Sequence, residues 1–412
     1  MIAKAFLAEG KNGAQQAAPL RGESGRDAPG RIAIWAVTLG AMFPDGDSVL
    51  DVFDPTGMAV ITEHRGLTHS LLLLPLWALL LATVTLWILR WREARTAGNL
   101  SRGQPPRPRP AGMSALLRLA VAWGVGIGSH ILLDLINSWG TMIWMPLSKR
   151  RVAWDLTFVI DLTMTAVALA PQLAAWAYAR REGSFSRRLF AWTLLSVGAA
   201  GAEWLARAAG FPFSPWGIVV TSALFAILLF LPARGSTSLT TGNKSGFAVS
   251  RAAWCRAGCV ALVAYLGICI AAHHAALSRV EEFAAARGLS VERMAAIPLP
   301  PAATAWVGLI RTPQGVYEAR FNLLESQAPQ FYFFADAQAN GYLETARTLP
   351  GVQTYLWFAR FPVASYIQYG AVHVVEFTDR RFFPRGTRKT FPFTFRVTFD
   401  AEGRVMEAGW AE

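Results

Sequence analysis

Long apolar runs dominate the first 277 residues of this 412-residue chain. About 20 consecutive apolar residues are enough for a helix to cross the hydrocarbon core of a bilayer. Runs of this kind occupy residues 71–91, 114–136, 156–179, 189–209, 216–233 and 254–277. A shorter run over residues 32–43 fits either part of a span or a re-entrant element. The pattern predicts an α-helical integral membrane bundle of about seven spans.

The pattern changes to short alternating or aromatic-rich stretches beyond residue 280. Residues 306–311 and 316–323 flank a turn and predict a β-hairpin. Further strands are expected at residues 330–334, 354–358, 372–377, 392–399 and 404–410. Asp336 is expected to cap a helix over residues 338–348. These features predict a C-terminal α+β extramembrane domain.

The predicted organisation therefore has four parts. Residues 1–30 form a flexible polar N-terminal tail, because they contain no apolar run. Residues 31–180 form a helical core that carries the candidate chemistry described below. Residues 181–279 add further transmembrane helices, and residues 280–412 form the extracytoplasmic α+β domain.

Composition and charge support a membrane protein. Charged residues make up 16% of the chain and hydrophobic residues 53%, whereas a soluble domain carries about 25% charged residues. The net charge is +12, yet residues 278–412 are nearly balanced, with 14 basic and 13 acidic residues. The excess base thus lies in the apolar part. This distribution argues against nucleic acid as a partner, which would need a water-facing basic patch.

Arginine-rich loops predict the orientation in the membrane. The polar tail and residues 90–118, 180–188 and 234–256 are rich in arginine and lysine, and such loops stay on the cytoplasmic side. Seven alternating spans then place the C-terminal domain on the outer side, in the periplasm of a bacterial cell. The basic loop of residues 149–151 falls on the outer side, where it has either a phosphate- or lipid-binding role or a solvated one.

Four clusters of polar residues interrupt the apolar runs, all on the predicted outer face. Ionisable residues beside membrane spans are functional candidates. The clusters are Asp45 and Asp47; His64, Arg65 and His69; His130 and Asp134 with Asn137 and Ser138; and Asp155 with Asp161. Three of the clusters also have a structural interpretation: a turn at Asp45–Asp47, a hydrogen-bonded core histidine at His130, or a helix cap at Asp155. Asp161 lies one turn further on, where capping is not expected.

The spacing of these residues favours metal binding. His130 and Asp134 are four apart and share one helix face. His64 and His69 are five apart and converge only if residues 65–66 are not helical, which Gly66 permits. Imidazole and carboxylate ligands suit Zn²⁺, Mn²⁺ or Fe²⁺. The six candidate ligands, Asp45, Asp47, His64, His69, His130 and Asp134, exceed one tetrahedral site and suggest a dinuclear centre.

The motif strings resemble a known family. Phe-Pro-Asp-Gly-Asp at residues 43–47, His-Arg-Gly-Leu-Thr-His-Ser at 64–70, Gly-Ser-His-Ile-Leu-Leu-Asp at 128–134 and Arg-Arg-Val-Ala-Trp-Asp at 150–155 resemble the membrane-bound metal-dependent hydrolases of the YdjM-like type, also described as LexA-binding, inner-membrane-associated hydrolases. The resemblance covers about residues 30–180. It implies that the six ligands bind metal, that the metal is zinc, and that the substrate is a phosphoester.

Two classes of function follow. The first is an integral-membrane hydrolase that uses metal-activated water on a phosphoester or phospholipid-like amphiphile at the outer face of the inner membrane. In it, Arg65 stabilises transition-state charge, Asp47 is both catalytic and metal-binding, and Asp155, Asp161, Asn137 and Ser138 are additional candidates. The alternative is a non-enzymatic scaffold or partner-binding protein, with a transporter less favoured. Membrane lipids are expected partners, and residues 280–412 are expected to gate the site or bind a protein.

Overall fold

The computed structural model describes residues 28–97, 112–178, 184–208, 215–230, 251–300, 303–382 and 393–411. The chain divides into two compact units, residues 10–154 and residues 155–412, called here the N-terminal and C-terminal units. Most of the predicted polar tail and the centres of the predicted basic loops lie outside the described residues. The predicted domain boundaries after residues 180 and 279 stay predictions.

The N-terminal unit is helical. Its α-helices are α1 (Ala28–Gly40), α2 (Ala59–Thr62), α3 (Leu74–Ala97) and α4 (Gly112–Leu135). Two 3-10 helices, Pro44–Phe53 and Leu67–His69, lie in the segment between α1 and α3. A loop after α4 returns along itself through an antiparallel bridge between Thr141 and Val152.

Helices α3 and α4 pack antiparallel. Gly128 lies against Leu74, and Gly124 lies against Ala78 further along α3. The indole nitrogen of Trp123 donates a hydrogen bond to Thr85 Oγ1 at 3.1 Å. The start of α3 and the end of α4 therefore lie at the same end of the pair.

Helices α1 and α4 touch through their backbones. A Cβ atom added to Gly126 would collide with Val37 O and would lie 2.9 Å from Gly40 Cα. A Cβ atom added to Gly40 would lie 2.8 Å from Trp123 O. Small residues at such crossings let membrane helices approach closely. This contact brings the end of α1 to the last two turns of α4.

The helices of the C-terminal unit are α5 (Leu162–Ala177), α6 (Ser184–Ala208), α7 (Pro215–Phe230) and α8 (Arg251–Ala286). Alanines, leucines and aromatic residues of α5, α6 and α7 form one apolar cluster. Among the described residues, three helices are long and apolar enough to cross a membrane: Leu74–Arg95, Gly112–Leu135 and Ala252–Ala286.

The membrane-helix prediction is confirmed for the runs at residues 71–91, 114–136 and 254–277, which coincide with those three helices. The runs at 32–43, 156–179 and 216–233 correspond to shorter apolar helices. Residues 189–208 of the run at 189–209 lie within α6. The total of seven spans and the sidedness of the loops therefore stay predictions.

The predicted start of the fourth span at residue 156 is wrong, because α5 begins at Leu162. Asp161 is its N-cap, and the Asp161 carboxylate accepts a hydrogen bond from the backbone N–H of Met164 at 2.9 Å. The expectation that Asp161 does not cap a helix is therefore also wrong. A side-chain oxygen that satisfies a free backbone donor sets the helix start.

The C-terminal domain contains two four-stranded antiparallel sheets, each ordered as a simple meander. The first holds β1 (Arg293–Leu299), β2 (Ala305–Thr312), β3 (Gly315–Asn322) and β4 (Tyr332–Ala335). Helices α9 (Gly341–Thr348) and α10 (Pro350–Phe358) follow. The second sheet holds β5 (Pro362–Tyr369), β6 (Val372–Asp379), β7 (Thr394–Phe399) and β8 (Val405–Trp410), with a 3-10 turn at Arg380–Phe382.

The far end of α8 belongs to the core of this domain. Ala276, Val280 and Ala284 pack against Trp306 and Phe321 of the first sheet. A helix of 35 residues is also longer than a bilayer requires, at about 1.5 Å per residue. The same helix therefore serves as a candidate membrane span and as a core element of the domain.

The α+β class and the hairpin of β2 and β3 are confirmed, with Thr312 paired to Gly315 at the turn. The strand predicted at residues 354–358 is wrong, because Val352, Tyr355 and Phe358 are buried on one face of α10. The strands β1 and β5 were not predicted. Strand β1 contains Pro298, which a strand tolerates at a sheet edge.

Asp336 does not cap α9, contrary to the prediction. The cap is Asn340, whose side chain accepts from the Leu343 backbone N–H at 2.9 Å. The Asp336 carboxylate instead accepts from Arg311 at 2.6 Å and from the Ala364 backbone N–H at 2.9 Å. It thereby connects the first sheet to the second.

The backbone contact between α1 and α4 makes a matched pair of substitutions informative. Gly126→Ala introduces a methyl group into the contact with Val37 and Gly40, whereas Gly124→Ala meets only ordinary contacts at 3.6 Å and beyond. We expect Gly126→Ala to lower the free energy of unfolding by about 1–3 kcal/mol and Gly124→Ala to leave it nearly unchanged. Thermal unfolding in detergent measures both. Equal effects of the two substitutions would contradict the close contact.

Candidate metal centre

The site residues come from three segments that meet at one end of the α3–α4 pair. Asp45 and Asp47 open the 3-10 helix that follows α1, where Pro44 occupies the first turn. His69 ends the short 3-10 helix before α3. His130 and Asp134 lie one turn apart near the end of α4. The contact of α1 with α4 and the short link into α3 bring the three segments together.

The turn between His64 and His69 is non-helical, as their convergence requires. Arg65 adopts a left-handed backbone conformation with φ of 64°, although the sequence suggested Gly66 as the flexible position. Gly66 is needed for a different reason, because a Cβ atom there would lie 2.8 Å from Glu63 O. This turn directs His64 and His69 toward the same carboxylate, Asp47.

Four of the predicted ligands form a tight group. One donor atom from each of Asp45, His69, His130 and Asp134 lies within 4.8 Å of all the others. The two histidine Nε2 atoms are 3.2 Å apart. His69 Nε2 lies 3.2 Å from Asp134 Oδ2, and His130 Nε2 lies 3.2 Å from Asp45 Oδ1.

The opposite nitrogen of each ring is held by an acceptor. His130 Nδ1 lies 2.8 Å from the carbonyl oxygen of Ala41, which has only lone pairs to offer, so this nitrogen carries the proton. His69 Nδ1 lies 3.2 Å from Asp47 Oδ2. Acceptors at Nδ1 leave the Nε2 lone pairs of both rings directed into the group. Metal-binding histidines are oriented in this manner by carbonyl or carboxylate partners.

The group fits a single divalent metal ion. Bonds of about 2.0–2.1 Å in a tetrahedral site place neighbouring ligand atoms about 3.3 Å apart. Five of the six distances between ligand atoms of the group lie between 3.2 Å and 3.6 Å. In addition, Asp134 Oδ2 is buried without a hydrogen-bond partner, which is costly unless a proton or a cation satisfies it.

The charge of the site leads to the same conclusion. Asp45, Asp47 and Asp134 face one guanidinium, that of Arg65, whose Nη2 lies 3.1 Å from Asp134 Oδ1. With neutral histidines these four groups carry two uncompensated negative charges. Asp47 and Asp134 are buried, and buried charges are stable only when they are paired. A divalent cation supplies that compensation, and in its absence protons on the histidines do so.

The pKa values of the metal-free site follow from these contacts. Hydrogen bonds with His130 and His69 hold the pKa of Asp45 well below its usual range. Burial alone would lower the pKa of His69, but its contacts with Asp134, Asp45 and Asp47 outweigh burial and raise the pKa to about 10. The carboxylates therefore stay ionised, as metal ligands must.

Asp47 and His64, both predicted as ligands, do not belong to the group of four. Asp47 instead contacts the Nδ1 side of His69. Asp47 Oδ1 lies 2.8 Å from His64 Nδ1. Asp47 Oδ2 accepts from Thr68 Oγ1 at 2.6 Å and from the Arg65 backbone N–H at 3.1 Å, besides contacting His69. Asp47 is thus engaged in orienting His69. A second metal ion has no separate ligand group among the described residues.

Arg65 is buried and acts on Asp134. Its Nη1 donates to Asn137 Oδ1 at 2.9 Å while Nη2 pairs with Asp134. The Asn137 side chain also accepts from the Trp139 backbone N–H at 3.0 Å. Asn137 thus supports Asp134 through Arg65, and its neighbour Ser138 is buried. Arg65 thus pairs with Asp134 through its side chain and donates to Asp47 through its backbone N–H.

The three basic side chains at residues 149–151 have different environments. Arg151 Nη1 donates to Gly140 O at 2.8 Å, and Nη2 donates to Ile61 O and, at 3.4 Å, to His64 O. Arg151 therefore fastens the loop after α4 to the segment that carries His64. Lys149 and Arg150 are exposed.

Asp155 and Asp161 belong to the C-terminal unit, where each has a partner. Both carboxylate oxygens of Asp155 accept from Arg360 at 2.7 Å. Asp155 is buried and has a left-handed φ of 55°. Asp161, besides capping α5, accepts from the hydroxyl of Tyr265 at 2.7 Å. The helix cap proposed for Asp155 is therefore wrong, because its side chain is used in a bidentate ion pair.

Two supports of the site were not recognised in the sequence. One is the carbonyl of Ala41, because backbone acceptors leave no signature in residue type. The other is the pair Gly40 and Gly126, which precede Asp45 by five residues and His130 by four. A glycine shortly before a candidate ligand in each of two apolar runs could have indicated the close crossing of α1 and α4.

Fold and site together define a class, that of membrane proteins with a histidine–aspartate cluster at the end of a helix pair. Residues 12–208, just under half of the chain, match the model of the family described as YdjM inner membrane protein. The match confirms the resemblance to the YdjM family over this region. No curated protein and no solved structure matches the chain significantly.

Asp47→Asn distinguishes a ligand from a residue that orients one. Because Asp47 contacts His69 and His64 rather than belonging to the group of four, we expect metal affinity to fall about 10–100-fold while the stoichiometry at saturation is retained. Competition titration with a chromogenic chelator measures both quantities. Complete loss of binding at saturating metal would show that Asp47 is itself a ligand.

The pair of Asp155 and Arg360 makes a separate prediction about stability. Arg360→Met leaves the buried carboxylate unpaired, and we expect a loss of about 3–5 kcal/mol in unfolding free energy. Arg347→Met is the control, since Arg347 pairs with Glu344 at the surface and such pairs contribute about 0–1 kcal/mol. Thermal unfolding of both variants measures the two losses in unfolding free energy. A small loss for Arg360→Met would contradict a structural role for the pair.

Proposed function

We propose that this protein is an integral-membrane, metal-dependent hydrolase that acts on a phosphoester of an amphiphilic substrate. The observation that carries the proposal is the group of Asp45, His69, His130 and Asp134, whose donor atoms have the spacing of a tetrahedral site. Two imidazoles and two carboxylates suit zinc, and also Mn²⁺ or Fe²⁺. We favour zinc, in keeping with the resemblance to YdjM-like hydrolases.

The roles of the residues follow from their contacts. A divalent cation held by these four residues would act as a Lewis acid, and it would activate a water molecule for hydrolysis only at a coordination position beyond these four. Asp47 holds His69 in the orientation and tautomer that binding requires. Arg65 holds Asp134 Oδ1, so that Oδ2 faces the two histidines. In this proposal Arg65 is a positioning residue and also supplies positive charge beside the site.

The exposure of the ligands indicates where a substrate approaches. His69 is fully buried and Asp134 is nearly so, whereas the side chain of Asp45 is 58% exposed. Asp45 therefore marks the open side of the group. Since the group lies at the end of two helices long enough to cross a membrane, the substrate we propose has its phosphoester at the headgroup level of a bilayer.

The proposed setting is the outer face of the bacterial inner membrane, with a multi-pass chain and a periplasmic C-terminal domain. It is supported by the arginine-rich loops and by the inner-membrane family match. We further propose that residues 280–412 bind a protein partner or control access to the site.

Metal analysis and hydrolysis assays test the proposal. We expect the purified protein to contain near-stoichiometric divalent metal, and His69→Ala and Asp134→Ala to reduce it to background, since each removes a ligand. Hydrolysis of a phosphodiester that carries an acyl chain should disappear in both variants and after chelation, and should return when metal is restored to the parent protein.

The control is His274→Ala, an exposed histidine of α8, which should retain both metal and hydrolysis. Full metal occupancy in His69→Ala and Asp134→Ala would refute this metal site. Stoichiometric metal without hydrolysis of any phosphoester tested would contradict the enzymatic function and favour a membrane scaffold.

A further inference from the structure

Two segments of the N-terminal unit lie at the end of the α3–α4 pair. One is the 3-10 helix Pro44–Phe53, which follows α1 and carries Asp45 and Asp47. The other is the loop of residues 144–150, which follows α4. Both are joined to the segment of residues 64–71 that leads into α3: Asp47 accepts from Thr68, and Met145 O accepts from Ser70 Oγ at 2.5 Å.

The outer side of both segments is apolar. The side chains in question are large, and the most exposed are Leu147 (84%), Val52 (81%) and Phe53 (77%). Val49, Leu50 and Trp144 are also about half exposed. Several large apolar side chains on neighbouring surface segments mark a site of contact with a partner or a membrane.

This exposure is not a sign of a loosely held loop. The backbone N–H of Leu71 donates to Ile143 O at 3.0 Å, and the N–H of Met142 donates to Arg65 O at 3.0 Å. Arg151 anchors the other end of the loop through the carbonyls of Gly140 and Ile61. The loop is therefore held at both ends, and its apolar side chains point outward from a fixed base.

Two exposed cations accompany the apolar residues. Lys149 and Arg150 directly follow Leu147 and Ser148 and are exposed, while their neighbour Arg151 is occupied. Tryptophan together with lysine or arginine at the end of a membrane helix is typical of the level of the lipid headgroups. Basic side chains at that level attract anionic lipids.

We propose that the 3-10 helix Pro44–Phe53 and the loop of residues 144–150 form an interfacial surface, seated among the headgroups of anionic phospholipids. The apolar side chains enter the acyl boundary, and Lys149 and Arg150 bind the lipid phosphates. A membrane is the occupant, because the surface adjoins the ends of two helices long enough to span one. The proposal does not depend on metal binding or hydrolysis.

This surface sets the depth of the metal-binding group. Asp45 lies on the same 3-10 helix as Val52 and Phe53, and it is the most exposed member of the group. A membrane that holds Val52 and Phe53 therefore holds Asp45 at the headgroup level, where a lipid-like phosphoester is located.

Depth-dependent quenching tests the surface. The full chain, with its three cysteines replaced by alanine, is labelled with an environment-sensitive fluorophore at Leu147→Cys or Val52→Cys and reconstituted in nanodiscs of phosphatidylcholine and phosphatidylglycerol. The control is Leu324→Cys, equally exposed at 81% but in the C-terminal domain. We expect headgroup-level nitroxide lipids to quench the first two labels several-fold more than the control, and aqueous iodide to do the reverse. Equal iodide access at all three positions would overturn the proposal.

A second measurement tests the choice of anionic lipid. The double variant Lys149→Gln/Arg150→Gln and the control Arg347→Gln are equilibrated with mixed micelles of the two lipids, and the lipid retained after purification is quantified. We expect the parent and the control to be enriched in phosphatidylglycerol several-fold over the micelle, and the double variant to lose most of that enrichment. An unchanged ratio in the double variant would overturn the role of the two cations. Metal content, measured in parallel, reports that the site is intact.

Discussion

The backbone contact between α1 and α4 is the constraint on which the candidate centre depends. Gly126 and Gly40 lie so close that neither position has room for a side chain. The contact places the carbonyl of Ala41 against His130 Nδ1 and brings Asp45 within reach of His130 Nε2. A wider crossing would move Asp45 away from His130 and Asp134 on α4. The four side chains could then no longer reach one metal ion.

The need to neutralise buried charge then determines which partner each polar residue has. The buried carboxylate of Asp47 is paired with His64, Thr68 and the backbone N–H of Arg65. It contacts His69 at Nδ1, the ring nitrogen that faces away from the group of four. Asp134 has one oxygen paired with Arg65 and the other left for the two histidines. Because each buried charge needs a partner, the supporting contacts and the candidate metal-binding group are parts of one network, which a divalent cation would complete.

The sequence predicted the members of this network better than their roles. The i,i+4 spacing of His130 and Asp134 and the expected break at residues 65–66 were sufficient to predict that these candidate ligands converge. Whether Asp47 binds metal or orients His69 depends on distances of a few tenths of an ångström, which spacing cannot supply. In the C-terminal domain, alternation located β2 and β3, but the aromatic run at residues 354–358 is compatible with either a strand or a helix face, and burial on one side of α10 decided the matter.

The sequence by itself determined which runs are apolar enough to cross a membrane, that the excess base lies in the apolar half, and which histidines and aspartates are candidate ligands, because length, charge and local spacing are properties of the chain alone. Tertiary structure decided the rest. It separated four candidate ligands from two supporting residues, assigned Arg151 to backbone carbonyls, and used Asp155 in an ion pair with Arg360, a residue 205 positions away. Contacts of this kind depend on which backbones come close in space, and pairs so far apart along the chain leave no periodic signal by which a sequence could reveal them.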